Sequence, residues 1–141
     1  MYHIYRIQAA ILLACVATSG LAQEEAPDPK LIVELNTAES VDSACRLSFM
    51  ITNEHPDAID AAVFETVLFN ADGSVNQLTL FDFGALPSNR PRIRQFDVPG
   101  QGCDGLGRLL INGAVTCKAG DADLCVDTLE LRTRTEIEVL G

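Results

Sequence analysis

This sequence is poor in aromatic residues that carry a polar group. The chain contains no tryptophan, and both tyrosines, Tyr2 and Tyr5, lie at its amino end. The remaining aromatic residues are six phenylalanines. Proteins that stack sugars or unpaired bases usually offer tryptophan or tyrosine, whose rings have an apolar face and a polar handle. The composition therefore disfavours binding of carbohydrate and of single-stranded nucleic acid.

Histidine and lysine, on which much acid–base and nucleophilic catalysis depends, are also scarce. Of the two histidines, His3 lies near the start and His55 lies in a polar stretch (NEHPD) that predicts a solvated turn. Lys30 and Lys118 are the two lysines, and each lies in a polar segment beside acidic residues, where an amine keeps its proton. The sequence therefore favours a protein that is not an enzyme.

Basic residues are outnumbered two to one, with ten Lys and Arg against twenty Asp and Glu and a formal net charge of −10. A chain this acidic does not bind nucleic acid or an anionic membrane surface through bulk charge. The sequence also lacks a glycine-rich phosphate loop. We therefore expect no nucleic-acid partner and no cofactor.

Residues 1–22 have the three-part order of a secretory signal peptide. Arg6 precedes an apolar run, Ile7–Val16, and a stretch of small residues, Ala17–Ala22, follows the run. Ten apolar residues are too few to span a bilayer, which takes about 20. Removing 22 of the 141 residues would leave 119, with nine bases against twenty acids because Arg6 is lost, a net charge of −11.

Lipid attachment at Cys15 is the alternative to cleavage after Ala22. The sequence Leu12–Cys15 (LLAC) loosely matches the lipobox that precedes a lipid-modified cysteine. A twin-arginine pair is absent, so export is expected to use the general route. We predict ordinary cleavage and no transmembrane segment after processing.

The four cysteines that follow the signal predict two disulfides, because an even number in an exported chain usually pairs completely. A polar turn (KAGDADL) separates Cys117 from Cys125 and can bring them within bridging range. If those two cysteines pair, Cys45 pairs with Cys103. A zinc site is the alternative, but the chain has no CxxC pair.

The rest of the chain predicts one all-β domain. Residues 23–30 form an acidic, proline-containing leader that we expect to be disordered, and the domain covers residues 31–141. Short strands separated by turn signals predict an immunoglobulin-like, Greek-key β-sandwich of about seven strands with two disulfides. Ala38–Ser43 is a weak candidate for one helical turn. The predicted strands are Leu31–Leu35, Cys45–Thr52, Ala61–Phe69, Val75–Phe83, Arg92–Val98, Gly107–Val115 and Val126–Val139, the last as one long strand or two short ones.

The strand Ala61–Phe69 is apolar on both faces. If Val63, Val67 and Phe69 point into the core, then Ala62, Phe64 and Leu68 point outward. We therefore propose Phe64 and Leu68 as partner-binding residues on an exposed apolar patch. The alternative is a central strand that a neighbouring loop or terminus covers.

Three arginines at every second position form a second candidate site, which we call the arginine stripe: Arg90, Arg92 and Arg94. Guanidinium groups on one strand face could bind a carboxylate or an acidic partner segment. The alternative is an edge strand that carries charge to block pairing with other edges. Phe96 and Val98 continue the same phase, so an outward stripe would need a bulge near Gln95.

Asp121 and Asp123 in the predicted disulfide loop could chelate calcium together with backbone carbonyls. The rest of a calcium loop is missing, so a solvated turn is favoured. We therefore predict no metal site.

Four pieces of the sequence occur in a fixed order: Val33–Asn36, Ala44–Leu47, Gln95–Gly100 with Cys103 following, and Gly107–Asn112 with Cys117 and Cys125 downstream. In this order and in cysteine placement, they resemble a group of small exported alphaproteobacterial proteins usually labelled "Tat pathway signal sequence domain protein". The resemblance implies a periplasmic location in a Gram-negative cell and brings no catalytic residues. This sequence departs from the label in lacking the twin arginines.

We therefore expect a non-enzymatic periplasmic protein that acts by protein–protein contact, for example as an accessory subunit of an envelope complex. The alternative is a small-ligand or metal-ion binding module that uses the arginine stripe or the Asp121 loop.

Overall fold

The computed structural model of the protein describes residues 25–141. The predicted signal peptide, the candidate lipidation site at Cys15 and the start of the leader lie outside the described residues. Residues 25–30 form neither helix nor strand. In the described range, no helix is long and apolar enough to cross a membrane.

Eight strands build the described part of the chain. They are β1 (Leu31–Val41), β2 (Ala44–Asn53), β3 (Ile59–Asn70), β4 (Val75–Leu86), β5 (Arg92–Pro99), β6 (Leu106–Lys118), β7 (Leu129–Thr133) and β8 (Glu138–Leu140). A 3₁₀ turn, Cys103–Gly105, precedes β6, and one short helix, α1 (Leu124–Asp127), precedes β7. The helical turn expected at Ala38–Ser43 is wrong, because β1 continues to Val41 in a hairpin with β2.

The strands form two four-stranded sheets, with the orders β5-β2-β1-β7 and β4-β3-β6-β8. Most neighbours are antiparallel, while β7 runs parallel to β1 and β8 runs parallel to β6. The predicted all-β, two-disulfide fold is confirmed, and the last predicted strand divides into β7 and β8. The immunoglobulin-like topology stays a prediction.

The core lies between the two sheets and follows the alternation of apolar residues along each strand. The alternating apolar residues predicted for the first half of β1 and for β2 are buried: Leu31, Val33, Leu35, Cys45, Leu47, Phe49 and Ile51. Phenylalanines join the two sheets. The Phe49 ring of β2 lies 5.5 Å and 5.6 Å from the rings of Phe81 and Phe83 on β4, measured between centroids.

Both predicted disulfides are confirmed. Cys45 of β2 bonds to Cys103 in the 3₁₀ turn, and Cys117 of β6 bonds to Cys125 in α1, with Cα separations of 4.7 Å and 6.0 Å. Two disulfides in a small domain are typical of an oxidising, exported environment.

A buried carboxylate on β1 connects that strand to the segment after β7. The side chain of Glu34 accepts hydrogen bonds from Asn36 at 2.9 Å and from the Arg134 guanidinium at 2.8 Å. The amide of Asn36, and then the guanidinium of Arg134, hold the pKa of Glu34 below its ordinary value of 4.5, against the opposing effect of burial.

The Glu34 contacts predict a pH dependence of stability. Because the folded pKa lies below the unfolded one, this stabilisation is complete well above pH 4.5 and is lost as the pH falls through the lower folded pKa. We therefore expect Glu34→Gln to be less stable than the unmodified protein at neutral pH, and the difference to shrink on acidification. Urea unfolding of both proteins at a series of pH values down to about 3 measures this difference in stability. Glu25→Gln, in the exposed leader, should show no such change.

Candidate functional site

The face assignment of β3 is wrong. Phe64 and Leu68, proposed above as outward-facing partner contacts, are both fully buried. The Phe64 ring lies 5.6 Å from the Phe83 ring in the core. Alternation alone could not choose the phase, because both faces of this strand are apolar. The missed signal is Glu65, which shares a phase with Val63 and Val67 and so marks their face as the outer one.

The arginine stripe does not form a single receptor surface. Arg90 is exposed in the turn before β5, while Arg92 and Arg94 lie half-buried in the same phase as Phe96 and Val98. The pairing of β5 with β2 is uninterrupted, so it lacks the bulge near Gln95 that an outward stripe would need.

Arg94 instead joins the edge strands of the two sheets. Its guanidinium donates to the backbone carbonyls of Phe83 at 2.9 Å and Ala85 at 3.4 Å, both on β4. Gly84 between them has a φ of +65° at a bulge in β4, which favours glycine. At the open side of a sandwich, a long side chain can point inward and still bring its charge to the surface.

Asp121 and His55 each form a hydrogen bond within the fold. The Asp121 carboxylate accepts a hydrogen bond from the backbone N–H of Asp123 at 3.0 Å. Within residues 25–141, no cluster of three or more His, Cys, Asp or Glu residues could hold a metal ion. His55 is buried, not solvated as predicted, and its Nε2 lies 2.9 Å from the Thr128 hydroxyl at the end of α1.

An aliphatic row crosses the outer face of the sheet β4-β3-β6-β8. The strand register places one residue from each strand side by side, in the order Leu78, Val67, Leu110 and Leu140. Leu80 lies two residues beyond Leu78 on the same face of β4. We call these five residues the outer patch. Leu78 and Leu80 are 60% and 56% exposed, whereas Val67 is 9% exposed, so the outer patch is most open to solvent on β4.

The next row along the same face is apolar on β4 and β3 and charged on β6 and β8. It contains Val75, Phe69, Arg108 and Glu138, one from each strand. The Arg108 guanidinium lies 5.9 Å from the centroid of the Phe69 ring and 3.4 Å from the Glu138 carboxylate. Glu138 thus neutralises the cation nearest to the outer patch.

Carboxylates border the other side of the outer patch. Glu65 lies opposite Leu80, and Asp82 follows on β4. Glu65 accepts a hydrogen bond from the Asn112 amide at 2.6 Å, and Asp82 accepts one from the Gly84 backbone at 2.8 Å. Neither carboxylate forms an ion pair with a residue that the structure describes. The outer patch is therefore an apolar surface with an acidic border.

Comparison with known proteins returns no match to a protein-family model, to a curated protein or to a solved structure.

Proposed function

We propose that this protein is a non-enzymatic, exported binding protein that contacts another protein through the outer patch. The observation that carries the proposal is the aliphatic row across all four strands of one sheet, with leucines more than half exposed on β4. An exposed apolar surface of this kind costs solubility unless a partner covers it. The acidic border favours a partner whose apolar surface has basic residues around it.

A periplasmic location fits the same proposal. The two disulfides suit an oxidising compartment, and residues 1–22 have the order of a signal peptide. The resemblance to small exported alphaproteobacterial proteins supports the periplasm of a Gram-negative cell. An envelope protein is the partner that such a location brings within reach.

The experiment compares two exposed aliphatic residues on different sheets. Leu78 in the outer patch is 60% exposed, and Ile93 on β5 of the other sheet is 55% exposed. We expect Leu78→Ser, alone and together with Leu80→Ser, to reduce the amount of envelope protein captured from an extract at least tenfold, a loss of about 1.4 kcal/mol in binding. Ile93→Ser should capture as much as the unmodified protein.

Melting temperatures measured on the same samples separate binding from folding. Exposed substitutions of this kind usually change stability by no more than about 0.5 kcal/mol each, so all three variants should melt within a few degrees of the unmodified protein. Equal capture by the Leu78 and Ile93 variants would contradict the proposal.

A further inference from the structure

The outer edge of β6 is open over half of its length. β6 pairs with β3 on one side along most of its 13 residues, with register shifts that leave Asn112 and Val115 without a partner on β3. On its other side, β8 pairs with Arg108, Leu109 and Leu110, and the pairing ends there. Among the described strands, none covers the edge from Ile111 towards Cys117. The backbone N–H and C=O groups that point away from β3 on such an edge can pair with an added strand.

An apolar groove of about 370 Å³ lies beside this open edge, between β6, β7 and β8. Buried and half-buried side chains line it: Phe64, Ile111, Leu129, Leu131 and Val139. Val126 of α1 and Leu140 of β8 stand at its border and are 50% and 37% exposed. The Cys117–Cys125 disulfide ties α1 to β6 and so bounds the groove at one end.

We propose that this groove binds an extended segment of a partner protein, which pairs with β6 as an additional strand. An open edge supplies backbone hydrogen bonds, and the groove beside it accepts alternate side chains, which is how strand addition combines affinity with specificity. The segment therefore has apolar residues at every second position. About five to seven residues at roughly 3.3 Å each fill the edge between Ile111 and Cys117.

The negative charge around the groove favours binding of a different protein over binding of a second copy of this chain. The segment around α1 carries three exposed carboxylates, Asp121, Asp123 and Asp127, and the whole chain has a net charge of −10. Acidic copies repel one another, whereas a segment with a basic residue at the α1 end is attracted. The proposed occupant is thus a strand with alternating apolar residues and a basic flank.

The groove goes beyond the outer patch and can be tested separately from it. The two share Leu140 alone, because the groove lies at the β6 edge while Leu78 and Leu80 lie on β4, at the opposite edge of the sheet. Val126 belongs to the groove only. A variant at Val126 should therefore leave capture through the outer patch unchanged, and a variant at Leu78 should leave strand addition unchanged.

The probe is a nine-residue peptide of alternating valine and threonine with a lysine at each end, titrated into the purified full chain. We expect binding that Val126→Asp weakens at least tenfold and that Ile93→Asp, an equally exposed control, does not change. Replacing both lysines of the peptide by glutamate should also weaken binding severalfold. Hydrogen exchange should slow at least tenfold, when the peptide is bound, at those amides of residues 112–116 that point away from β3.

Two N-methylated peptides test the backbone pairing without altering the protein. Successive N–H groups of a strand point to opposite edges, so methylating the valines removes donors from one edge and methylating the threonines removes them from the other. We expect one of these peptides to lose binding at least tenfold and the other to retain it. Equal binding by both, or unchanged binding to Val126→Asp, would overturn the proposal.

The proposal of strand addition by a partner would also be overturned if something else occupied the groove. A dimer in sedimentation that Val126→Asp dissociates would assign the groove to a second copy. If the amides of residues 112–116 that point away from β3 already exchange slowly in the monomeric full chain without peptide, the groove is assigned to a segment of the chain itself. Neither result bears on the outer patch, which the Leu78 variants test.

Discussion

Leu68→Ala should lower the free energy of unfolding by about 2–5 kcal/mol, the range for truncating a buried leucine. Leu68 is fully buried on the inner face of β3, opposite the equally buried Leu109 of β6. Removing its outer carbon atoms leaves a cavity that two paired sheets cannot readily close, so the cavity cost adds to the lost burial of apolar surface. Urea unfolding of the oxidised protein measures the loss.

Leu78→Ala is the matched control for this experiment. It makes the same change of side chain on the neighbouring strand, but Leu78 lies on the outer face and is mostly exposed. We expect it to alter stability by no more than about 0.5 kcal/mol. Similar losses for Leu68→Ala and Leu78→Ala would show that the inner and outer faces of this sheet are assigned incorrectly.

Removing the Cys45–Cys103 disulfide should destabilise the fold by about 4 kcal/mol, and removing Cys117–Cys125 by about 2.5 kcal/mol. The two bonds close loops of 58 and 8 residues in sequence. A cross-link restricts the unfolded chain more when the closed loop is longer, and the chain-entropy relation converts these lengths into the two values. Alanine at both cysteines of one pair, followed by urea unfolding without reductant, measures each loss.

The order of the two losses in unfolding free energy tests this prediction more stringently than their absolute values do. Cys45 and Cys125 are both fully buried in the core, so each replacement adds a packing loss to the entropic one, and loop length sets the order. A larger loss from the eight-residue loop would contradict the loop-length argument. Peptide mapping without reductant should recover Cys45 joined to Cys103 and Cys117 joined to Cys125.

The strands of this protein could be predicted because their signals are local. Alternation of apolar and polar residues identified β1 and β2 and their inward faces, and turn residues such as Gly73 placed the ends of β3 and β4. Cysteine parity and one short polar loop were sufficient for the disulfide pairing. In β1 and β2 one face is clearly more apolar than the other, so the inward face has no competing assignment. The short loop between Cys117 and Cys125 likewise favours that pairing over the other two.

The candidate site was placed on the wrong residues. The two apolar faces of Ala61–Phe69 predicted an exposed patch at Phe64 and Leu68, and the structure buries both side chains in the core. Phe64 and Leu68 are the wrong residues because one glutamate, Glu65, is a weak marker of the outer face when both faces of the strand are apolar. The outer patch also depends on Leu78 and Leu80, whose exposure follows from the position of β4 at the sheet edge.

The sequence by itself determined the class of fold, the number of disulfides and their pairing, because each depends on periodicity, turn chemistry or cysteine count. Only the tertiary structure decided which face of β3 is covered and that Arg94 points inward. It alone also showed that β6 extends beyond β8 beside an apolar groove. Each of these depends on which strands become neighbours across long stretches of chain. Periodicity within one strand carries no information about that pairing, since the same alternation fits either side of a sheet.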